Sequence, residues 1–149
     1  MVISINEQNN MIKVSEQNKT ANTIQAYNSQ CAMEVAIRED NFEDMVNCIN
    51  NGASVNGFGD LSITPLMWAA YYGRVDMMMW LCDQGADIEA VSWGGFTALT
   101  DAVVKGYPEA VLMLLNRGAN RHVLTTSDEP LTGLTKNSKI LDMLNMEQE

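Results

Sequence analysis

The sequence predicts an all-α solenoid built from short helix-turn-helix-loop units, and three observations carry the prediction. First, residues recur at a step of 33: Gly-Ala pairs fall at Gly52-Ala53, Gly85-Ala86 and Gly118-Ala119, and alanines at Ala36, Ala69 and Ala102. Second, apolar columns keep that step: Met45, Met78 and Val111; Cys48, Leu81 and Leu114; Ile49, Cys82 and Leu115. Third, the punctuation between columns suits helices. Thr64 can cap a helix whose first residue is Pro65, and Gly52, Gly85 and Gly118 suit the left-handed residue that ends a second helix. A unit this small cannot bury its apolar face alone, so the units must stack.

Taken in order, the chain opens with residues 1–22, rich in Asn and Gln and poor in apolar periodicity, which read as a mobile extension. Ile24, Tyr27 and Cys31 sit three and four apart, so a helix is expected from about Thr23 into the first unit. The repeat domain is expected over 23–149, with units at about 31–58, 59–91, 92–124 and 125–145. The first shows mainly its second half, Gly52-Ala53-Ser54-Val55-Asn56. The second and third begin helices at Thr64 and Thr97 and turn at Gly73 and Gly106. The fourth, from Glu129-Pro130-Leu131 to Leu144, falls one residue short of the 33 spacing and reads as a degenerate cap.

These residues resemble the ankyrin-repeat family. Thr64-Pro65-Leu66-Met67-Trp68-Ala69-Ala70 is similar to the family's TPLHxAA motif, with Met67 in place of the usual His. Leu81-Cys82-Asp83-Gln84-Gly85-Ala86-Asp87-Ile88-Glu89 is similar to its LLxxGADVN motif. Thr97-Ala98-Leu99 and Leu114-Leu115-Asn116-Arg117-Gly118-Ala119-Asn120 repeat the theme. The resemblance covers about 31–145. It is specific for an ankyrin-repeat solenoid of three full units plus a cap, and nearly silent on the partner.

One segment, Met77–Cys82, crowds three methionines, a tryptophan and a cysteine. Met78, Leu81 and Cys82 share a helical face, and their equivalents in other units are Met, Cys, Ile, Val and Leu. Ile, Val and Leu ligate nothing, so the segment reads as core between units and no metal is expected. Cys48 and Cys82 are expected to be buried. Val46, Met79 and Leu112, with Trp80 and Met113 beside them, form a second, apolar stripe expected on the outer face. That stripe invites a homodimer or another cover.

Composition bounds the function. Net charge is −10, with 19 acids against 9 bases, which argues against nucleic acid and anionic membrane surfaces. Residues 31–101 hold eleven acids against Arg38 and Arg74, a field that attracts a basic partner. No apolar run reaches about 18 residues, and no secretory leader is visible in MVISINEQNN. Three cysteines without a dense framework fit a reducing, cytoplasmic setting. No catalytic constellation emerges: His122 is the one histidine, and GxSxG, GxxxxGK[ST], HExxH and CxxC are all missing. No enzyme activity or cofactor is expected.

The family resemblance implies that a partner is held by the loop tips and the first helix of each unit. Carried over by position, these are Arg38, Glu39, Phe58, Asp60, Leu61, Ile63, Trp68, Tyr71, Tyr72, Trp93, Phe96, Asp101, Val104 and Lys105, with Val91, Leu124 and Thr126 alongside. Six of the ten aromatic residues of the chain fall in this set, and aromatics dominate binding hot spots. The expected function is therefore non-enzymatic binding of another protein that carries a basic patch. Two alternatives stand beside it: a dedicated acidic inhibitor, such as an immunity protein neutralising a basic toxin or enzyme, and a self-associating scaffold.

Overall fold

A computed structural model describes residues 5–57 and 62–146, with side chains described from residue 19 onward. Among these residues lie seven α-helices: α1 (Ile5–Arg38), α2 (Phe42–Asn50), α3 (Pro65–Tyr71), α4 (Val75–Asp83), α5 (Ala98–Lys105), α6 (Pro108–Asn116) and α7 (Ser138–Asn145). A 3-10 turn, Leu131–Leu134, stands where the fourth unit would have its first helix. The helices pair as α1–α2, α3–α4 and α5–α6, and the turn pairs with α7. Each first element stacks on the next, α1 on α3, α3 on α5 and α5 on the turn, while α4 meets α6 and α6 meets α7. The result is the expected all-α solenoid in two layers. No described helix is long and apolar enough to cross a membrane.

The 33-residue punctuation is visible as repeated backbone geometry. Ala53, Ala86 and Ala119 each donate their N–H to Cys48, Leu81 and Leu114, all at 3.0 Å. Gly52, Gly85 and Gly118 donate to Ile49, Cys82 and Leu115, again at 3.0 Å. This pair of bonds satisfies carbonyls that a helix end leaves open. At the helix starts, the Thr64 hydroxyl accepts from the Met67 N–H at 3.2 Å, and the Thr97 hydroxyl from the Thr100 N–H at 3.3 Å. Met67 Sδ accepts the Thr64 N–H in return, so the thioether serves the reciprocal cap.

The core runs between the layers and through every unit. Met45, Met78 and Val111 are fully buried, as are Leu81 and Leu114. Met77, which the repeat columns do not mark, is buried as well. Cys48 is buried as expected, but Cys82 is only half-buried. Burial raises both thiols above their ordinary pKa, so both stay protonated at neutral pH. Units are also tied by polar contacts. Arg74 donates to the carbonyls of Ile37 (3.2 Å) and Arg38 (2.7 Å) at the end of α1, and Arg117 pairs with Asp83 at 2.7 Å.

At the N-terminus, α1 begins at Ile5 rather than near Thr23. Among its described side chains, the later half meets the repeats: Ala26 lies against Gly52, and the Gln30 side chain accepts the Ser54 N–H at 2.7 Å. Ile24, just before this contact, is 55% exposed, and Tyr27, just after Ala26, is 58% exposed.

Candidate functional site

The loop between α4 and α5 sets the site. Asp87 and the residues after it leave the second unit, and Ser92 then organises a tight turn. Its N–H donates to the Phe96 carbonyl (2.8 Å), its hydroxyl accepts the Phe96 N–H (3.3 Å), and its carbonyl accepts the Gly95 N–H (2.9 Å). Gly95 adopts φ +76°, and a Cβ there would come within 2.5 Å of Thr126 Cγ2 in the next loop. Glycine is thus required both for the backbone angle and for the loop-to-loop contact. The turn holds Trp93 out at its tip, 87% exposed, while Phe96 folds back and is half-buried.

Beneath this tip lies a recess of about 370 Å³. It is lined by Ile63, Trp68 and Tyr71 from the second unit, by Trp93 and Phe96 from the loop, and by Asp101 from the first turn of α5. Five sequence-predicted aliphatic and aromatic residues and one acid thus converge on one place, although they come from two units and one loop. Trp68 stacks on Tyr72 with centroids 6.0 Å apart, and Tyr71 meets both rings edge-on. These ring contacts hold Trp68 where it lines the recess. Met67 and Ser92 also line it, and neither was in the predicted set. Met67 sits at the motif position usually held by His. Ser92, four residues before Phe96, carries the hydroxyl spacing of a local turn.

Asp101 is the electrostatic feature of the recess. Burial pushes its carboxyl up to about 7, partly opposed by the nearby Lys105 ammonium. Lys105 itself lies over the Tyr71 ring, 4.0 Å from the centroid, and not within ion-pair distance of Asp101. Among the described residues, no side chain or backbone N–H donates a hydrogen bond to the Asp101 carboxylate.

The remaining predicted residues are placed as follows. Val104 is exposed further along α5, and Val91 and Leu124 are exposed on their loops. Arg38 ion-pairs with Glu34 (4.0 Å) and Glu39 (3.6 Å) at the end of α1. Glu39 lines a separate open groove between α1 and α2 and does not reach the recess. Phe58, Asp60 and Leu61 lie outside the described residues. On the other layer, Met79 and Leu112 are exposed, at 44% and 45%. Val46, Trp80 and Met113 are half-buried against the core, and Trp80 meets Phe42 edge-to-face at 6.1 Å.

Comparison with known proteins agrees with this architecture. A family model described as ankyrin repeats (3 copies) matches residues 32–124. The chain is also 34% identical over 86 residues to the E3 ubiquitin-protein ligase hecd-1 of Caenorhabditis elegans. That match takes in 57% of this chain and 3% of the ligase, so the chain spans a small fraction of that relative. Ankyrin repeats are in general protein-interaction modules, and with three of them matched across most of its length this chain belongs to the ankyrin-repeat family.

Proposed function

We propose that the protein is a non-enzymatic binding module that holds another protein against the loop tips and the first-helix layer, centred on the recess beneath Trp93. The observation that carries this reading is the 87% exposure of Trp93 on a turn whose internal hydrogen bonds hold it there. An indole costs little rotamer freedom to immobilise and supplies much contact area, so its exposure has a binding use and no packing use. Repeats that are already ordered lose little entropy on association. The eleven acids of residues 31–101 favour a partner with a basic surface, as a dedicated inhibitor of a basic enzyme would need.

The test is Trp93→Ala in a capture experiment beside the parent chain. Proteins retained by the parent and lost by the variant, at unchanged melting temperature, are partners of this surface. The expected loss is about 2 kcal/mol or more of binding free energy. Equal retention by both chains removes Trp93 from the binding surface.

A second reading, self-association, is favoured by the paired exposure of Met79 and Leu112 on the opposite layer. Light scattering of the parent and of Met79→Lys decides it: a dimer that the variant dissolves supports it, and a monomeric parent ends it.

A further inference from the structure

The recess differs from a plain hydrophobic contact patch in one respect. Its walls are Ile63, Trp68, Tyr71, Trp93 and Phe96, yet a carboxylate lies among them without a hydrogen bond or an ion pair from the described residues. Its oxygens still reach water, but burial strips away part of their hydration, so a cation that meets the carboxylate here gains more than it would at an open surface. The nearest cation, Lys105, is engaged on the Tyr71 ring. A ligand for this place therefore needs positive charge for Asp101 and a flat, weakly hydrated surface for the aromatic walls.

Ammonium and guanidinium answer this differently. A lysine ammonium is a compact, strongly hydrated charge whose three donors all want oxygen acceptors. The recess is mostly apolar and offers one carboxylate. A guanidinium is planar and less strongly hydrated, and it stacks on aromatic faces while its edge makes paired hydrogen bonds to a carboxylate. We propose that the recess receives an arginine side chain of the partner protein, with its guanidinium plane against the aromatic walls and its charge met by Asp101. This deepens the reading of the Trp93 surface as the binding face and rests on that reading. It also gives the basic partner a specific point of contact.

Proton linkage follows from the same geometry. Lys105 on its own helix acts on Asp101, and Tyr71 of α3 lines the same recess; α6, packed on α5, carries Glu109, which is exposed and paired with Lys139, while the α4–α5 loop residues 91–96 and the 3-10 turn Leu131–Leu134 bring no titratable side chain. With the Asp101 carboxyl near 7, guanidinium binding should release a proton at neutral pH and tighten by up to about tenfold between pH 6 and pH 8.

The probe is N-acetyl-arginine methylamide, titrated into the full chain while the three indole N–H resonances are followed by NMR, with the N-acetyl methylamides of citrulline and lysine as controls. Expected are saturable shifts of the Trp68 and Trp93 indoles with the arginine probe, weaker by at least about tenfold with neutral, isosteric citrulline. Asp101→Asn, checked for an unchanged fold by its spectrum, should lose that preference and its pH dependence. Equal response to citrulline and arginine, or full arginine binding by Asp101→Asn, overturns the proposal. A stronger response to the lysine probe overturns the choice of guanidinium. If Trp93→Ala loses captured proteins while the arginine probe moves neither indole, the binding face stands and arginine occupancy falls.

Discussion

The Asn56 side chain accepts a hydrogen bond from the Asp87 backbone N–H at 2.8 Å, across 31 residues of sequence. One unit later, the Glu89 carboxylate accepts from the Asn120 N–H at 2.8 Å, with the same offset. Asn56 and Glu89 are themselves 33 residues apart, so this is one inter-unit bond made twice with different side chains. Before the first unit, the Gln30 side chain supplies the acceptor for Ser54, so α1 closes the row where a preceding loop would do so. Every loop N–H in this column is thus satisfied from the unit or helix before it.

Asn56→Ala should destabilise the fold by about 1 kcal/mol, because it leaves the Asp87 N–H to water rather than to a partner. Glu89→Ala should cost a similar amount. The double variant should lose the sum, since the two bonds share no residue. Urea unfolding of the three variants reads this directly, and no loss for either single variant would show that water replaces the bond at no cost.

Gly73 and Gly106 hold the same column position and the same left-handed backbone, φ +67° and +78°. Their surroundings differ. A Cβ at Gly106 meets nothing within 4 Å, whereas at Gly73 it would lie 2.9 Å from Tyr107 Cδ1. Gly106→Ala should therefore cost about 1 kcal/mol, the backbone term alone, and Gly73→Ala at least about twice that. Adding Tyr107→Ala should reduce the alanine penalty at Gly73 to the Gly106 value. Equal costs in the parent background would show that the Tyr107 ring yields freely.

Asp101 should make stability depend on pH. Its carboxyl is raised by burial from 3.8 to about 7 in the folded chain, with Lys105 opposing. The folded state then binds the proton more tightly, so this contribution is fully present below about pH 4 and is lost as pH rises through about 7. Asp101→Asn removes the loss. Its stability relative to the parent should rise between pH 5 and pH 8 by about 1–2 kcal/mol, a value discounted for the partial solvation of the group. A difference that stays constant over this range would mean that Asp101 ionises at its ordinary pH.

Hydrogen exchange should divide α1 in two. From Ala26, where the helix meets Gly52, amides should be protected with the repeat core. Between residues 19 and 25, where Ile24 is exposed, they should exchange faster than the core, since less packing holds this turn. Core-level protection from residue 19 onward would require a cover for this stretch, and the oligomeric state would then be measured first.

Much of the repeat architecture was legible because stacking makes equivalent residues share one environment. The Gly-Ala pairs and the Met45–Met78–Val111 column report that directly, and the bonds at 3.0 Å repeat in all three units. Met77 was not legible: its column equivalents are Asp44 and Ala110, which no single environment explains. Asp44 lies at the end of the stack and stays exposed, so the column changes character with position. The edge contact of Trp80 with Phe42, 38 residues earlier, was also not legible, since it requires knowing how α2 and α4 lie together. The start of α1 at Ile5 was missed because periodicity marks buried faces, and this stretch shows no apolar stripe.

By itself, the sequence determined the unit length, the helix caps and turns, the family, and which residue types stand at the loop tips and on the first helices. These are local or strictly periodic properties, so one dimension suffices to express them. Only the tertiary structure decided that Ile63, Trp68, Trp93, Phe96 and Asp101 meet in one recess while Glu39 stands apart from it. The curvature of the Ser92–Phe96 turn and the stacking of α3 on α5 bring together side chains up to 38 residues apart. Convergence of that kind arises from packing between units, which leaves no fixed spacing along the chain.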